Sequence, residues 1–205
     1  MQIIRGSKYL VVTVSLFFAL ISTAVFAQML IDKLGAKFPL FSGQDISFWS
    51  QAGNANWYAF SPNGVAAEQG SGTLTGRLPV SDFQIQFSYW LDKDTRFSIF
   101  AHCVDMNYIA SDTALEINLS SAPVKKYANG SVVGLFHAEA SPAKPNQWND
   151  VTVSSISNQL TVTINGVPTI NKADYSRFLS GPFAMKYSGG KLKLINVYAT
   201  IPGRW

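Results

Sequence analysis

The sequence predicts an all-β fold, a two-sheet antiparallel β-sandwich of the jelly-roll kind, following an N-terminal signal peptide. Three observations carry this expectation. Phe83, Ile85, Phe87 and Tyr89 alternate with Gln84, Gln86, Ser88 and Trp90, the period-2 pattern of a strand with one buried and one wet face. Short runs of this kind recur along the chain with turn residues between them, most plainly where Leu160–Ile164 meets Val167–Ile170 across Asn165-Gly166, a dipeptide suited to the positive φ of a tight hairpin. Beyond the first residues, no segment shows a convincing helical period.

Taken in order, Met1 to Lys8 carries Arg5 and Lys8 and no acid, and Tyr9 to Phe26 is uncharged and largely apolar, ending in Ala24-Val25-Phe26-Ala27. Residues 1–27 read as a secretory leader, with small residues at Val25 and Ala27 fitting the cleavage rule and Gln28 as the mature N-terminus. The uncharged run continues to Ile31, long enough to span a bilayer, so an uncleaved anchor is the alternative; cleavage leaves no stable membrane insertion. Residues 28–37 are expected as an arm, with Leu30 to Leu40 either a short entry helix or part of it. Residues 38–205 are expected as a single domain. Strand signals follow around Phe41–Trp49, Trp57–Phe60 and Val65–Glu68, the last two joined by a turn at Ser61-Pro62-Asn63-Gly64, and Gly70-Ser71-Gly72 reads as a flexible break. After Phe83–Trp90, a turn at Asp92-Lys93-Asp94 leads to a strand over Arg96–Val104 with Ala114–Leu119 as its partner. Val151–Val153, Leu160–Ile164 and Val167–Ile170 form the next group. Gly181-Pro182 is a turn before Phe183–Tyr187, and Lys191–Ile201 is the last strand.

Composition narrows the function classes. Two of the 16 basic residues and none of the 12 acids lie in the leader, which leaves a mature charge of +2. That charge is small and scattered, which argues against nucleic acid as a partner. The single Cys103 excludes an internal disulfide, so an exported domain must hold by packing alone. Cys103 lies in an apolar-rich run, where a buried small hydrophobe is expected rather than a nucleophile. With two His and no paired Cys there is no zinc constellation, and Asp92, Asp94, Asp105 and Asp112 lack the spacing of a calcium loop. No metal and no cofactor is expected.

The polar residues that can carry chemistry sit on strands. Glu116 stands mid-strand in Leu115-Glu116-Ile117-Asn118-Leu119, where alternation buries the apolar residues and turns Glu116 and Asn118 to the opposite face. Ser98, Phe100 and His102 share one face of the preceding strand, so His102 and Glu116 can meet across a hairpin as a proton partner and a base. The plainer alternative is an outward salt-bridged pair on a solvated sheet. Trp90 shares its face with Gln84, Gln86 and Ser88 and is a platform for a sugar ring, as is Trp57. Glu68 at a strand end and His137 in a loop before Pro142 are further binding candidates. Trp148 is expected in the core, with Asn149 holding a turn.

The order Phe41-Ser42-Gly43, Gly72-Thr73-Leu74, Ser81-Asp82-Phe83, Ser98-Ile99-Phe100, Leu115-Glu116-Ile117, Gln147-Trp148-Asn149, Asn165-Gly166 and Gly181-Pro182 resembles the 3-keto-disaccharide hydrolase domain family, over roughly Phe38 to Ile201. The resemblance implies a concanavalin A-like, laminin-G-like sandwich in an exported bacterial protein, secreted or periplasmic. It implies a carbohydrate ligand, a glycoside oxidised to a ketone at carbon 3, and cleavage of its glycosidic bond. A 3-keto group acidifies the neighbouring C–H, so the bond can leave by general-base-assisted elimination followed by hydration, without the flanking carboxylate pair of ordinary glycosidases. The family's acidic residue matches Glu116, which is then the base, with His102 as the second catalytic candidate. Ser98, Asn118, Trp90, Gln86, Glu68 and His137 are the substrate-binding candidates. The chain departs from the family pattern at Phe97, Ile99 and His102, where relatives carry Asn-Ser-Gly and then an Arg. A bidentate fork has become a titratable ring, which opens the alternative of a non-catalytic glycan-binding module.

Overall fold

A computed structural model of the chain describes residues 35–41, 45–121, 124 and 126–202. The expected leader and most of the expected arm lie outside those residues. The described chain runs through β1 (Ala36–Pro39), β2 (Ser50–Gly53), β3 (Tyr58–Phe60), β4 (Gly64–Ala67), β5 (Ser71–Thr75), β6 (Phe83–Leu91) and β7 (Arg96–Ala101). It continues through β8 (Leu115–Asn118), β9 (Trp148–Ile156), β10 (Gln159–Ile164), β11 (Val167–Asp174), β12 (Ala184–Ser188) and β13 (Leu192–Ile201). No helix occurs among the described residues.

The strands form two antiparallel sheets. One has eight strands in the order β11-β10-β9-β6-β13-β4-β3, with β1 also paired to β13, and the other has the order β2-β5-β12-β7-β8. Alternation decides what each sheet buries. From β6 the side chains of Phe83, Ile85, Phe87 and Tyr89 turn inward, and from the smaller sheet Phe97, Ile99, Leu115, Ile117, Met185 and Tyr187 face them in one core. Burying aromatic and branched side chains from both sheets is what holds them together face to face. This is the two-sheet antiparallel sandwich the alternation predicts.

Turn chemistry fixes the registers. Asn165 and Gly166 both take positive φ, 51° and 77°, and Ile164 then pairs with Val167 in a two-residue hairpin. In β13 a bulge separates Ile195 from Tyr198, with Asn196 at a φ of 55°. The bulge hands the amides of Asn196 and Val197 to the carbonyls of Pro62 and Asn63, tying the turn before β4 to the last strand.

Three elements differ from the sequence reading. Phe48 lies in a turn and Trp49 follows it, with the strand beginning only at Ser50. Gly70-Ser71-Gly72 is no flexible break: Ser71 starts β5, which pairs with both β2 and β12. Gly72 belongs in that strand because a Cβ there would stand 2.6 Å from the Ala52 carbonyl oxygen. The segment expected as an entry helix or arm ends in β1, hydrogen-bonded to β13.

Candidate functional site

The site is built on the outer face of the five-stranded sheet. Register places Thr73 of β5, Lys186 of β12, Ser98 of β7 and Asn118 of β8 in one row across four neighbouring strands. The next row holds Thr75, Ala184, Phe100 and Glu116. Ser98 Oγ donates to Glu116 Oε1 at 2.9 Å, a diagonal contact between the two rows. Ser98 is 6 % exposed and Glu116 is half-buried, so a partly open acidic side chain sits above a buried hydroxyl.

Walls rise beside this floor. After β7 the chain crosses Phe100 and Ala184 and packs Cys103, Ile109 and Ala114 onto them as a second, smaller apolar cluster. From that loop the Ile109 carbonyl accepts a hydrogen bond from Lys186 Nζ at 3.3 Å. At the opposite edge Val132 bridges to Ile117, and the Glu116 carbonyl accepts the Val133 amide. Tyr127 and His137 stack there with ring centroids 4.5 Å apart and planes 9° from parallel. An aromatic plate beside a polar, partly charged floor is suited to a sugar ring, whose C–H faces stack and whose hydroxyls hydrogen-bond.

Several candidates occupy other places. His102 follows β7 with a φ of 57°, which breaks the strand's alternation. Its ring is fully enclosed: Nε2 donates to the Ser81 carbonyl at 2.8 Å, Nδ1 abuts the Phe178 carbonyl, and Phe83 lies edge-on at 5.3 Å. Burial pulls its pKa down. The two carbonyls and, further off, the Asp82 charge pull it up, and burial is the largest influence. The expected meeting of His102 with Glu116 is therefore corrected. The residue opposite Glu116 is Phe100, and both imidazole nitrogens are taken by backbone.

Asn118 is on the expected strand but entirely buried. Its Nδ2 donates to the Tyr127 carbonyl at 2.9 Å and its Oδ1 accepts the Ser120 amide at 2.9 Å, so it fixes the segment carrying Tyr127. Trp90 and Gln86 face outward from β6 in the eight-stranded sheet, on the far side of the core from Glu116. There Trp90 pairs with Trp148, and Lys193 Nζ stands 5.8 Å from its ring. Trp148 is 46 % exposed, which corrects its expected place in the core, while Asn149 is buried and holds Lys144 and Gln147 as expected. Trp57 is buried, edge-on to Tyr187 at 5.5 Å.

Glu68 follows β4 at the turn between the sheets, and its amide and that of Gln69 donate to Asn56 Oδ1. Burial, and then this carboxylate, push the Tyr58 phenol up. Of the eight candidates, then, Ser98 and Glu116 come together, His137 stands at the edge of their sheet, and Asn118 supports that edge from below.

Sequence reading passed over Lys186, Thr73 and Tyr127. Lys186 was legible from its strand: in Ala184-Met185-Lys186-Tyr187-Ser188, Met185 and Tyr187 are core residues, so Lys186 must point out. Tyr127 carries no such signal, because it lies in irregular backbone. Among the described residues no group of three or more His, Cys, Asp or Glu is placed to hold a metal ion. The Asp92 carboxylate accepts Thr95 Oγ1 and the amides of Asp94 and Lys191, so it closes a turn.

Fold and face together define a galectin-like, concanavalin A-like sandwich with a polar site on its smaller sheet. A candidate glycosyl hydrolase from Parabacteroides distasonis is similar at a TM-score of 0.67 and 15% identity, covering 81% of this chain and 93% of that one. A Bacillus subtilis protein of unknown function with a galectin-like fold is similar at a TM-score of 0.61 and 12% identity, covering 80% and 94%. A carbohydrate binding module from Bacillus subtilis is similar at 0.51 and 14% identity, covering 75% and 97%. No curated protein matches the chain. Residues 37–198 match the 3-keto-alpha-glucoside-1,2-lyase-like domain, and the chain belongs to that family.

Proposed function

We propose that the chain is an exported enzyme that opens glycosides of 3-keto-glucose by elimination across C1 and C2, followed by hydration. The observation that carries this reading is the Ser98–Glu116 contact on the outer face of the smaller sheet, in a member of the lyase-like family. The ketone at C3 makes the C2 hydrogen acidic. Glu116 removes that proton as general base, and the electron pair of the C–H bond moves into a C2–C3 enolate. When the enolate collapses, a C1–C2 double bond forms, the C1–O bond breaks, and the leaving oxygen takes its electron pair and then a proton. Water adding to C1 completes hydrolysis.

Ser98 orients the Glu116 carboxyl group by its 2.9 Å hydrogen bond to Oε1. Tyr127 and His137 supply a plate against which the ring can stack. Export is supported by Arg5 and Lys8 ahead of the apolar run to Phe26. Purified protein given a 3-keto-α-glucoside tests the reading. Glu116→Gln keeps the shape and removes the base, so kcat is expected to fall by about 10²- to 10⁴-fold. Unchanged turnover in Glu116→Gln would remove Glu116 from the chemistry.

One observation favours a second reading, a glycan-binding module without turnover. His102, expected as the proton partner, is withdrawn from the face. Binding on a sugar array by a wild-type chain that turns over no keto-glycoside would decide for it.

A further inference from the structure

We infer that Lys186 is the electrophilic residue of this site, its ammonium receiving the enolate oxygen that forms at C3 when Glu116 takes the C2 proton; the inference rests on the elimination reading above. Lys186 stands on β12, the central strand of the five-stranded sheet, with Met185 and Tyr187 on either side locked into the core. Its backbone is thereby among the most rigidly held on the face, although its side chain is exposed. Register sets it directly opposite Ser98, the residue that orients Glu116. Lys186 and Glu116 thus stand on the two strands flanking β7, two strand spacings across and one two-residue step along, about 12 Å apart at the backbone. Both side chains project from the same face into that interval, which suits one sugar ring held between a base at C2 and a cation at the oxygen of C3.

The other described cation on these strands is less well placed. Arg96 pairs with Ser188, two outward-facing steps along β7 from the row of Glu116, where Lys186 is one step away. Lys186 also has donors to give. An ammonium carries three N–H groups, and among the described residues it makes one hydrogen bond, to the Ile109 carbonyl at 3.3 Å. That single contact steers the side chain toward the wall without consuming it. The wall in turn is anchored, because Ile109 packs on Phe100 and Ala184.

A neutral ketone oxygen draws weakly on a lysine N–H, and the enolate oxygen draws strongly. The contact therefore strengthens as the proton leaves, which is the condition for raising kcat rather than tightening the ground state. No proton need pass to or from Lys186. Glu116 receives the proton from C2, negative charge collects on the C3 oxygen beside the ammonium, and the charge returns as the C1–O bond breaks.

The test uses the purified chain, a 3-keto-α-glucoside in D₂O, and two readouts, leaving-group release and deuterium entering C2. Lys186→Met is expected to lower kcat about 10²- to 10³-fold with KM little changed. Lys186→Arg, which keeps the charge, is expected to recover part of the loss. Lys186→Met is also expected to melt with wild type, since the side chain is exposed. Wild-type turnover with an equal kcat in Lys186→Met overturns the role of Lys186 and leaves the elimination reading standing. A wild-type chain that neither releases the leaving group nor exchanges C2 overturns both.

Discussion

His102 sits one residue beyond β7 at a φ of 57°, and that dihedral turns its ring away from the outer face and into the protein. Alternation extended from Ser98 and Phe100 points the ring outward. It fails here because period-2 reasoning assumes an unbroken strand, and a histidine, though enriched at positive φ, does not by its identity alone announce that conformation. Glu116 was legible because β8 stays regular through it. The two residues also differ in what substitution should do. His102→Ala leaves the Ser81 carbonyl without the Nε2–H donor and opens a void beside Phe83, at a cost of about 1–3 kcal/mol for the buried group left unpaired. A lower Tm, with unchanged kcat below the transition, is expected.

The pH dependence has a definite sign. Burial lowers the folded pKa of His102 below its unfolded value, so the unfolded chain takes up a proton first as pH falls. The contribution to stability is whole above the unfolded pKa, about 6.5, and is lost as pH drops from there through the folded value. Urea midpoints between neutral and mildly acidic pH should fall for wild type and fall less for His102→Gln. Equal slopes would contradict the buried neutral ring.

At the scale of elements, legibility followed the strength of the local signal. β6 and the β10–β11 hairpin read clearly because strict alternation and Asn165-Gly166 each admit one arrangement. β5 did not, since Ser71 and Gly72 have low strand propensity and look like a break. What overrides propensity there is close backbone packing: at Gly72 any Cβ would strike the neighbouring β2. Gly181 shows the same constraint at the site's margin. A Cβ on it would stand 2.5 Å from the Cys103 carbonyl oxygen, and Gly181 exchanges both backbone hydrogen bonds with Val80. Gly181→Ala must push the Cys103 segment outward, with an expected loss of about 1–3 kcal/mol, read as a lower denaturation midpoint. A midpoint equal to wild type would show that this crossing yields without strain.

At the scale of the whole molecule, the sandwich has two outer faces and the candidate residues were divided between them. Which sheet a strand joins depends on pairings far apart in sequence, such as β6 with β13 and β7 with β12, and no local pattern encodes them. Trp90 and Gln86 therefore looked like companions of Glu116 and stand behind the core from it. Trp90→Ala is expected to leave keto-glycoside turnover unchanged, and a large fall in kcat/KM would place the chemistry on the wrong sheet. The enclosed interior also accounts for Cys103. Its thiol is 3 % exposed and burial pushes its pKa up to about 12, so iodoacetamide should label it only after global unfolding.

Under the proposed elimination, the ketone at C3 and the proton it acidifies at C2 make the bond breakable at this site. Leaving-group release should be compared for a matched pair, a 3-keto-α-glucoside and its unoxidised parent, with deuterium at C2 followed in D₂O. Release is expected from the ketone alone, with deuterium in the sugar product at C2. Equal release from the parent glucoside, or release from the ketone with no deuterium at C2, would contradict the elimination.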